Sequence, residues 1–160
     1  MDEIDREIIA LLEADGRLTV TELAQRVGLT VAPCHRRLRE LERTGVIRGY
    51  RAVVDPATLG LGFEVLVAIT MDREDAGTIA EFERVLATIA EVRSAERLFG
   101  DPDYLIRVAT LDIAAYQRLR DEKLATLAGV HRLTSTIVMK RVVDERPYPL
   151  PPRSARRLGH

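Results

Sequence analysis

Tryptophan is absent from this 160-residue chain, cysteine occurs once, and four tyrosines and three phenylalanines are its only aromatic residues. A single Cys34 excludes an internal disulfide framework, and with only His35, His131 and His160 beside it no cysteine-rich metal site can be built. The core must therefore come from Leu, Ile, Val and Ala, for which a hydrophobic content of 46% suffices. Long apolar runs are missing and the opening residues, Met1 to Arg6, are largely charged, so neither a membrane span nor a secretory signal is read and a cytoplasmic location is expected. Catalytic patterns are missing too. There is no G-x-S-x-G, P-loop or H-E-x-x-H, and Gly60-Leu61-Gly62 lacks the third glycine of a dinucleotide fingerprint. No enzyme activity, cofactor or metal is expected.

A net charge of one sign is also lacking, since the formal total is −1. The distribution is more informative. Arg36, Arg37, Arg39, Arg43, Arg48 and Arg51 face only Glu40 and Glu42 between positions 30 and 51. A basic stretch on an otherwise neutral chain points to nucleic acid as a partner.

Ile4, Ile8, Leu11 and Leu12 form the stripe of a first amphipathic helix, with Asp2 placed to cap it and Gly16 after its end. Thr19 followed by Glu22 reads as a capping box opening a second short helix that buries Leu23, Ala24 and Val27 and stops at Gly28. Thr30 caps a third helix from about Val31 to Thr44, with Pro33 tolerated in its first turn and Gly45 closing it. The Gly28-Leu29-Thr30 turn between the last two helices is the helix-turn-helix signature. Cys34, Leu38 and Leu41 face inward on the third helix, so Ala32, His35, Arg36, Arg39 and Arg43 face outward, where DNA is read. Arg37 lies nearer the edge and pairs with a carboxylate or a phosphate. Val46–Arg48 and Tyr50–Val54 read as two short strands about Gly49, a wing-like hairpin bringing Arg48 and Arg51 beside the third helix. The DNA-binding set is thus Thr30, Ala32, His35, Arg36, Arg37, Arg39, Arg48 and Arg51.

Residues 55–62, with Asp55-Pro56 and three glycine or proline breaks, separate this domain (1–54) from a second. Alternation from Phe63 to Met71 predicts a strand; Ile79, Phe82, Leu86 and Ile89 predict a helix; Val92–Phe99 and Tyr104–Thr110 predict strands flanking Gly100-Asp101-Pro102-Asp103. Asp112 caps a further helix with Tyr116, Leu119 and Leu127 inward, ended by Gly129, and Val130–Val143 predicts a last long strand. The order βαββαβ over 63–146 is a ferredoxin-like arrangement: both helices on one face of a four-stranded sheet, the other face covered by dimerisation. The α+β chain ends in a Pro/Arg-rich stretch, 147–160, read as extended or disordered.

These elements in this order resemble the Lrp/AsnC (leucine-responsive and asparagine-responsive) transcriptional regulators over about residues 1–146. The resemblance is carried by Ile4-Asp5-Arg6, Glu22-Leu23-Ala24, Arg37-Leu38 with Leu41-Glu42, Gly45-Val46-Ile47-Arg48-Gly49-Tyr50, Gly100-Asp101-Pro102-Asp103-Tyr104-Leu105, and Gly129-Val130 with Val138-Met139. It implies a homodimer assembling further, typically to octamers, and an amino-acid effector bound between subunits. The Gly-Asp-Pro-Asp turn suits a zwitterion: Asp101 or Asp103 accepts from the ammonium, and glycine exposes N–H donors to the carboxylate. Gly100, Asp101, Asp103 and Tyr104 are the expected effector contacts. The family often has Thr-x-Thr in the last strand, where the register here places Leu133 and Ser135, with Thr134 and Thr136 one residue off, so only Ser135 is carried over. Two other classes share parts of this pattern. One is a tetrapyrrole-processing enzyme, since the architecture is similar to that of sirohaem decarboxylases; the other is a ligand-binding interaction module without DNA. The arginines of the third helix favour the regulator.

Overall fold

In a computed structural model, residues 1–143 and 146–149 are described. They form two units: residues 1–53 with Val143 and residues 146–149, and Val54–Val142.

The first unit is built from three helices whose starts are fixed by side chains. In α1 (Glu3–Ala14), Asp2 accepts from the backbone N–H of Asp5 while the Asp5 carboxylate accepts from that of Asp2. Thr19 and Glu22 exchange the same pair of bonds at the start of α2 (Val20–Val27), and Gly28 ends it in the left-handed conformation, φ 70°. Such boxes satisfy N–H groups that have no partner within the helix. Helix α3 (Val31–Arg43) differs. Thr30 occupies the cap position with extended dihedrals, yet its hydroxyl makes no capping bond. The third residue of the helix is Pro33, which lacks the N–H such a hydroxyl would accept from. Ile8, Leu23, Ala24, Cys34, Leu38 and Leu41 form the buried centre, with Ile4, Leu12, Leu18 and Val27 packed around it.

The hairpin expected over 46–54 does not form: these residues are irregular. A turn made of Gly49 alone is too short to reverse two strands, which need at least two loop residues. Among the described residues, the segment's backbone bond is that of Ile47 N–H to the Leu41 carbonyl, which continues the end of α3.

The second unit follows the expected order: β1 (Phe63–Met71), α4 (Ala76–Leu86), β2 (Val92–Arg97), β3 (Tyr104–Thr110), α5 (Ile113–Glu122) and β4 (Val130–Ile137). The sheet order is β2-β3-β1-β4 with antiparallel neighbours throughout. Val65, Val67, Ile69 and Met71 alternate toward the helices and pack with Phe82, Leu86, Ile106, Val108, Tyr116 and Leu119. Burial of these side chains on one face is the main stabilising term.

Two element ends differ from expectation. Helix α5 stops at Glu122, and a 3₁₀ turn, Leu124–Thr126, replaces the run to Gly129. Leu119 and Leu124 are five residues apart, off any helical stripe, and the tighter turn brings both Leu124 and Leu127 into the core. Strand β4 ends at Ile137 and not Val143, because its partner β1 begins at Phe63: Ile137 pairs with Val65, and one further bond, Val138 N–H to the Glu64 carbonyl, exhausts the ladder. Of the stretch 147–160, residues 147–149 are irregular and the Tyr148 N–H donates to Glu13 at 3.2 Å; residues 150–160 lie outside the described residues.

Candidate nucleic-acid interface and ligand cavity

Because Cys34, Leu38 and Leu41 are buried, the opposite side of α3 is exposed, with Ala32, His35, Arg36, Arg39 and Arg43 on it. Burial raises the Cys34 thiol above its ordinary range, which leaves it a small core residue. The arginines divide by what holds them. Arg36 and Arg48 have no polar partner among the described residues. Arg39 donates to His35 at 3.4 Å and to Glu42 at 3.2 Å, and Arg43 pairs with Glu40. Arg51 is exposed in the irregular segment. With no hairpin formed, Arg48 and Arg51 are carried on coil.

Arg37 departs from the expected set. Its guanidinium donates to Asp2 at 2.7 Å and Asp5 at 2.8 Å. Hydrogen bonds to Asp5 and then Asp2 hold it further above its usual range, and the Asp5 N–H, followed by Arg37, holds the Asp2 carboxyl below the usual carboxylate range. Arg37 therefore ties α3 to the start of α1 and is not an open donor. Thr30 and the first turn of α3 are the reverse case, since the uncommitted hydroxyl and the Val31 and Ala32 N–H groups lie at the positive end of a 13-residue helix.

In the second unit, Gly100, Asp103 and Tyr104 line a cavity of about 550 Å³ with Met71, Glu74, Ile79, Arg97, Leu98 and Phe99. Asp103 is fixed there because its Oδ2 accepts the Met71 N–H at 2.7 Å. Tyr104 is buried against Phe82, ring centres 4.6 Å apart, and its hydroxyl donates to Glu83 at 2.8 Å. Burial first, then the bond to Glu83, pushes the Tyr104 phenol up to about 12. Arg97 reaches to 4.0 Å of the same Glu83. The cavity thus holds acidic groups and one guanidinium beside apolar walls, a combination able to take a small zwitterion with an apolar side chain.

Asp101 and Ser135 are not in that cavity. Asp101 accepts from Thr70 at 3.5 Å and lies 3.7 Å from Arg132, both of which sit on the open face of the sheet. Ser135 pairs directly across from Val67, so it faces the helices, where its hydroxyl bonds to that of Tyr116. Thr134 and Thr136, opposite Ala68 and Leu66, face the other way. Glu74 and Arg97 are cavity residues that sequence reading missed. Arg97, directly across β2–β3 from Tyr104, could have been found by pairing the two strands about the turn.

Comparison with known proteins accords with both halves. Residues 1–48 match the family model described as winged helix-turn-helix DNA-binding, and residues 64–148 match that of the Lrp/AsnC ligand binding domain. The chain is 37% identical over 142 residues to the leucine-responsive regulatory protein of Escherichia coli K12, covering 89% of this chain and 87% of that one. Among solved structures, the transcriptional regulator NMB0573 of Neisseria meningitidis in complex with L-Met superimposes with a TM-score of 0.87 at 31% identity, covering 94% and 97% of the two chains. An AsnC family regulator from Agrobacterium tumefaciens gives 0.87 at 34% identity with the same coverage. Two matching domain families in this order, and relatives that span nearly the whole chain, place the protein in the Lrp/AsnC family of DNA-binding transcriptional regulators.

Proposed function

We propose that this regulator binds a pseudo-palindromic DNA site as a homodimer and that an amino acid, bound at a subunit interface of the second domain, changes that binding. The observation that carries the reading is the exposed face of α3, where Arg36 is unpartnered and His35 and Arg39 flank it on a helix whose other side is core. Two such helices about 34 Å apart would meet successive major grooves, with phosphate contacts setting affinity and a few base contacts setting the sequence. Thr30, Ala32, Arg48 and Arg51 supply backbone contacts at the edges.

The effector reading is supported by the mixed lining around Gly100, Asp103 and Tyr104. Arg97 takes the carboxylate, Asp103 or Glu74 the ammonium, and Met71, Ile79 and Leu98 the side chain. The Neisseria relative binds L-Met, which fits such walls. Dimerisation covers the open sheet face, where Leu66, Ala68 and Leu105 are half-buried, and further assembly to an octamer brings effector sites to subunit borders. The protein acts in the cytoplasm and is not an enzyme.

Fluorescence anisotropy of a labelled duplex from upstream of the protein's own gene, at two salt concentrations and with or without the twenty amino acids, tests this. Tight, salt-sensitive binding altered by the mixture is expected. Binding no better than to random DNA, in a genomic selection as well, would overturn it.

A further inference from the structure

On α3, side chains one turn apart form a chain of donors and acceptors that continues off the helix. Arg39 donates its Nε–H to His35 Nε2 and an Nη1–H to Glu42 Oε2. The other carboxylate oxygen of Glu42, Oε1, accepts from the Tyr50 hydroxyl at 3.1 Å. Tyr50 belongs to the irregular segment after the helix, and its ring lies over the turn after α1: its Cδ1 is 3.8 Å from where a Cβ on Gly16 would stand. Leu12, Leu18 and Leu38 join these groups around a cavity of about 300 Å³. Glu42 is therefore held from two sides and is 28% exposed, whereas Arg39 is 70% exposed.

A fixed carboxylate beside an outward guanidinium changes what DNA can gain from it. To touch DNA, Arg39 must leave Glu42, so each contact is worth only its excess over the pair it replaces. A lone phosphate offers Arg39 little more than the carboxylate does. A guanine edge offers two parallel acceptors and exceeds it. We propose that Glu42 is a positioning residue for sequence discrimination, keeping Arg39 off the backbone of ordinary DNA and releasing it to a base edge, with the Tyr50 hydroxyl setting how readily release occurs. Specificity then arises partly from a penalty on the wrong partner. The inference rests on Arg39 being a DNA contact, as proposed above.

The test uses the full-length protein, the duplex selected as its tightest from a random pool, and a scrambled duplex of equal length. Glu42→Gln keeps the size of the side chain and removes its charge. It is expected to raise affinity for the scrambled duplex roughly 5-fold and for the selected one less, so that discrimination falls, in the range of about 3- to 10-fold set by one base contact. Tyr50→Phe leaves Glu42 one donor fewer and tightens its hold on Arg39, lowering affinity for both duplexes several-fold. Combined with Glu42→Gln it should have no further effect, the mark of residues acting in series. Equal gains on both duplexes in Glu42→Gln would mean that the carboxylate only repels phosphate, and the inference fails. So would an undiminished Tyr50→Phe effect in the Glu42→Gln background. Arg39→Ala separates the two levels: no change on either duplex removes Arg39 from the interface altogether, while a loss of binding with normal discrimination in Glu42→Gln defeats only the positioning role. Should Glu42→Gln melt below the assay temperature, Glu42→Asp, which draws the carboxylate back by one methylene, is expected to lower discrimination in the same direction, and unchanged discrimination there overturns the proposal.

Discussion

Arg37 and Asp5 meet at 2.8 Å across 32 residues of sequence, joining the third helix to the first turn of the first. With their side chains 30% and 15% exposed, the pair is partly shielded from water. Breaking it leaves Asp5 without its charged partner, a greater loss than that of a surface pair. Arg37→Gln should lower the stability of the helical unit by about 1–2 kcal/mol, read by denaturant titration. At a temperature where the variant is folded, its salt dependence of DNA binding should match the parent. A shallower slope would return Arg37 to the interface.

Arg36→Ala should behave oppositely. Stability should stay within about 0.5 kcal/mol, because the side chain has no partner to lose. If Arg36 neutralises one phosphate per subunit, the slope of log affinity against log salt should fall by about 0.9 for each. Anisotropy over a salt series measures this, and an unchanged slope with unchanged affinity counts against the residue.

Gly129 closes the turn into β4 at φ +73°, where an added Cβ would stand 2.5 Å from Thr78 Cγ2 and 3.1 Å from the Arg73 carbonyl oxygen. Gly129→Ala therefore combines backbone strain with overpacking, and a loss of roughly 2–4 kcal/mol is expected. Thermal melting of the variant checks it; a melting curve matching the parent would show that the turn relaxes freely.

Tyr104 ionises near 12 in the folded protein and near 10 when unfolded. A raised folded value means that this residue's contribution is complete below pH 10 and is lost as pH climbs from 10 through 12. The effect is on the order of 1–2 kcal/mol, allowing for the solvent-exposed side of Glu83. Tyr104→Phe should remove this part of the alkaline decline in stability while costing about 1 kcal/mol near neutrality from the lost bond to Glu83. An alkaline decline identical to the parent's would disprove the assignment.

For the cavity, Arg97→Gln should abolish the response to the effector without changing DNA affinity in its absence, since Arg97 is exposed and its 4.0 Å approach to Glu83 is long. Isothermal titration with amino acids gives the direct reading. Asp103→Ala is a less clean probe, because it also strands the Met71 N–H. An Arg97→Gln protein that still responds normally would move the effector elsewhere.

What was legible in the sequence was local. The Thr19–Glu22 box, the Asp2 cap, the Gly28 stop and the alternation of Phe63–Met71 each depend on residues within a few positions, and each formed. What was not legible depended on distant partners. The alternation after Gly45 looked strand-like, but nothing within reach completes a ladder. Strand β4 looked longer than it is because its length is set by β1. Ser135 and Asp101 looked like neighbours of one site, yet the pleat turns Ser135 to Tyr116, and the turn sends Asp101 to Thr70 and Asp103 to Met71. Likewise Arg37 read as one arginine among six until α1 packed beside it.

The threonines at the starts of α2 and α3 occupy equivalent positions under unequal obligations. Thr19 is bound into a reciprocal box, whereas Pro33 has deprived Thr30 of its intrahelical donor. Position 30 is thus released from folding. A lineage of such proteins could exchange the side chain there, and with it a contact to a new operator, without first acquiring a compensating stabiliser, while the same exchange at position 19 would forfeit about 1 kcal/mol at the outset. The proline that weakens one helix cap gives recognition a site at which to vary independently of stability.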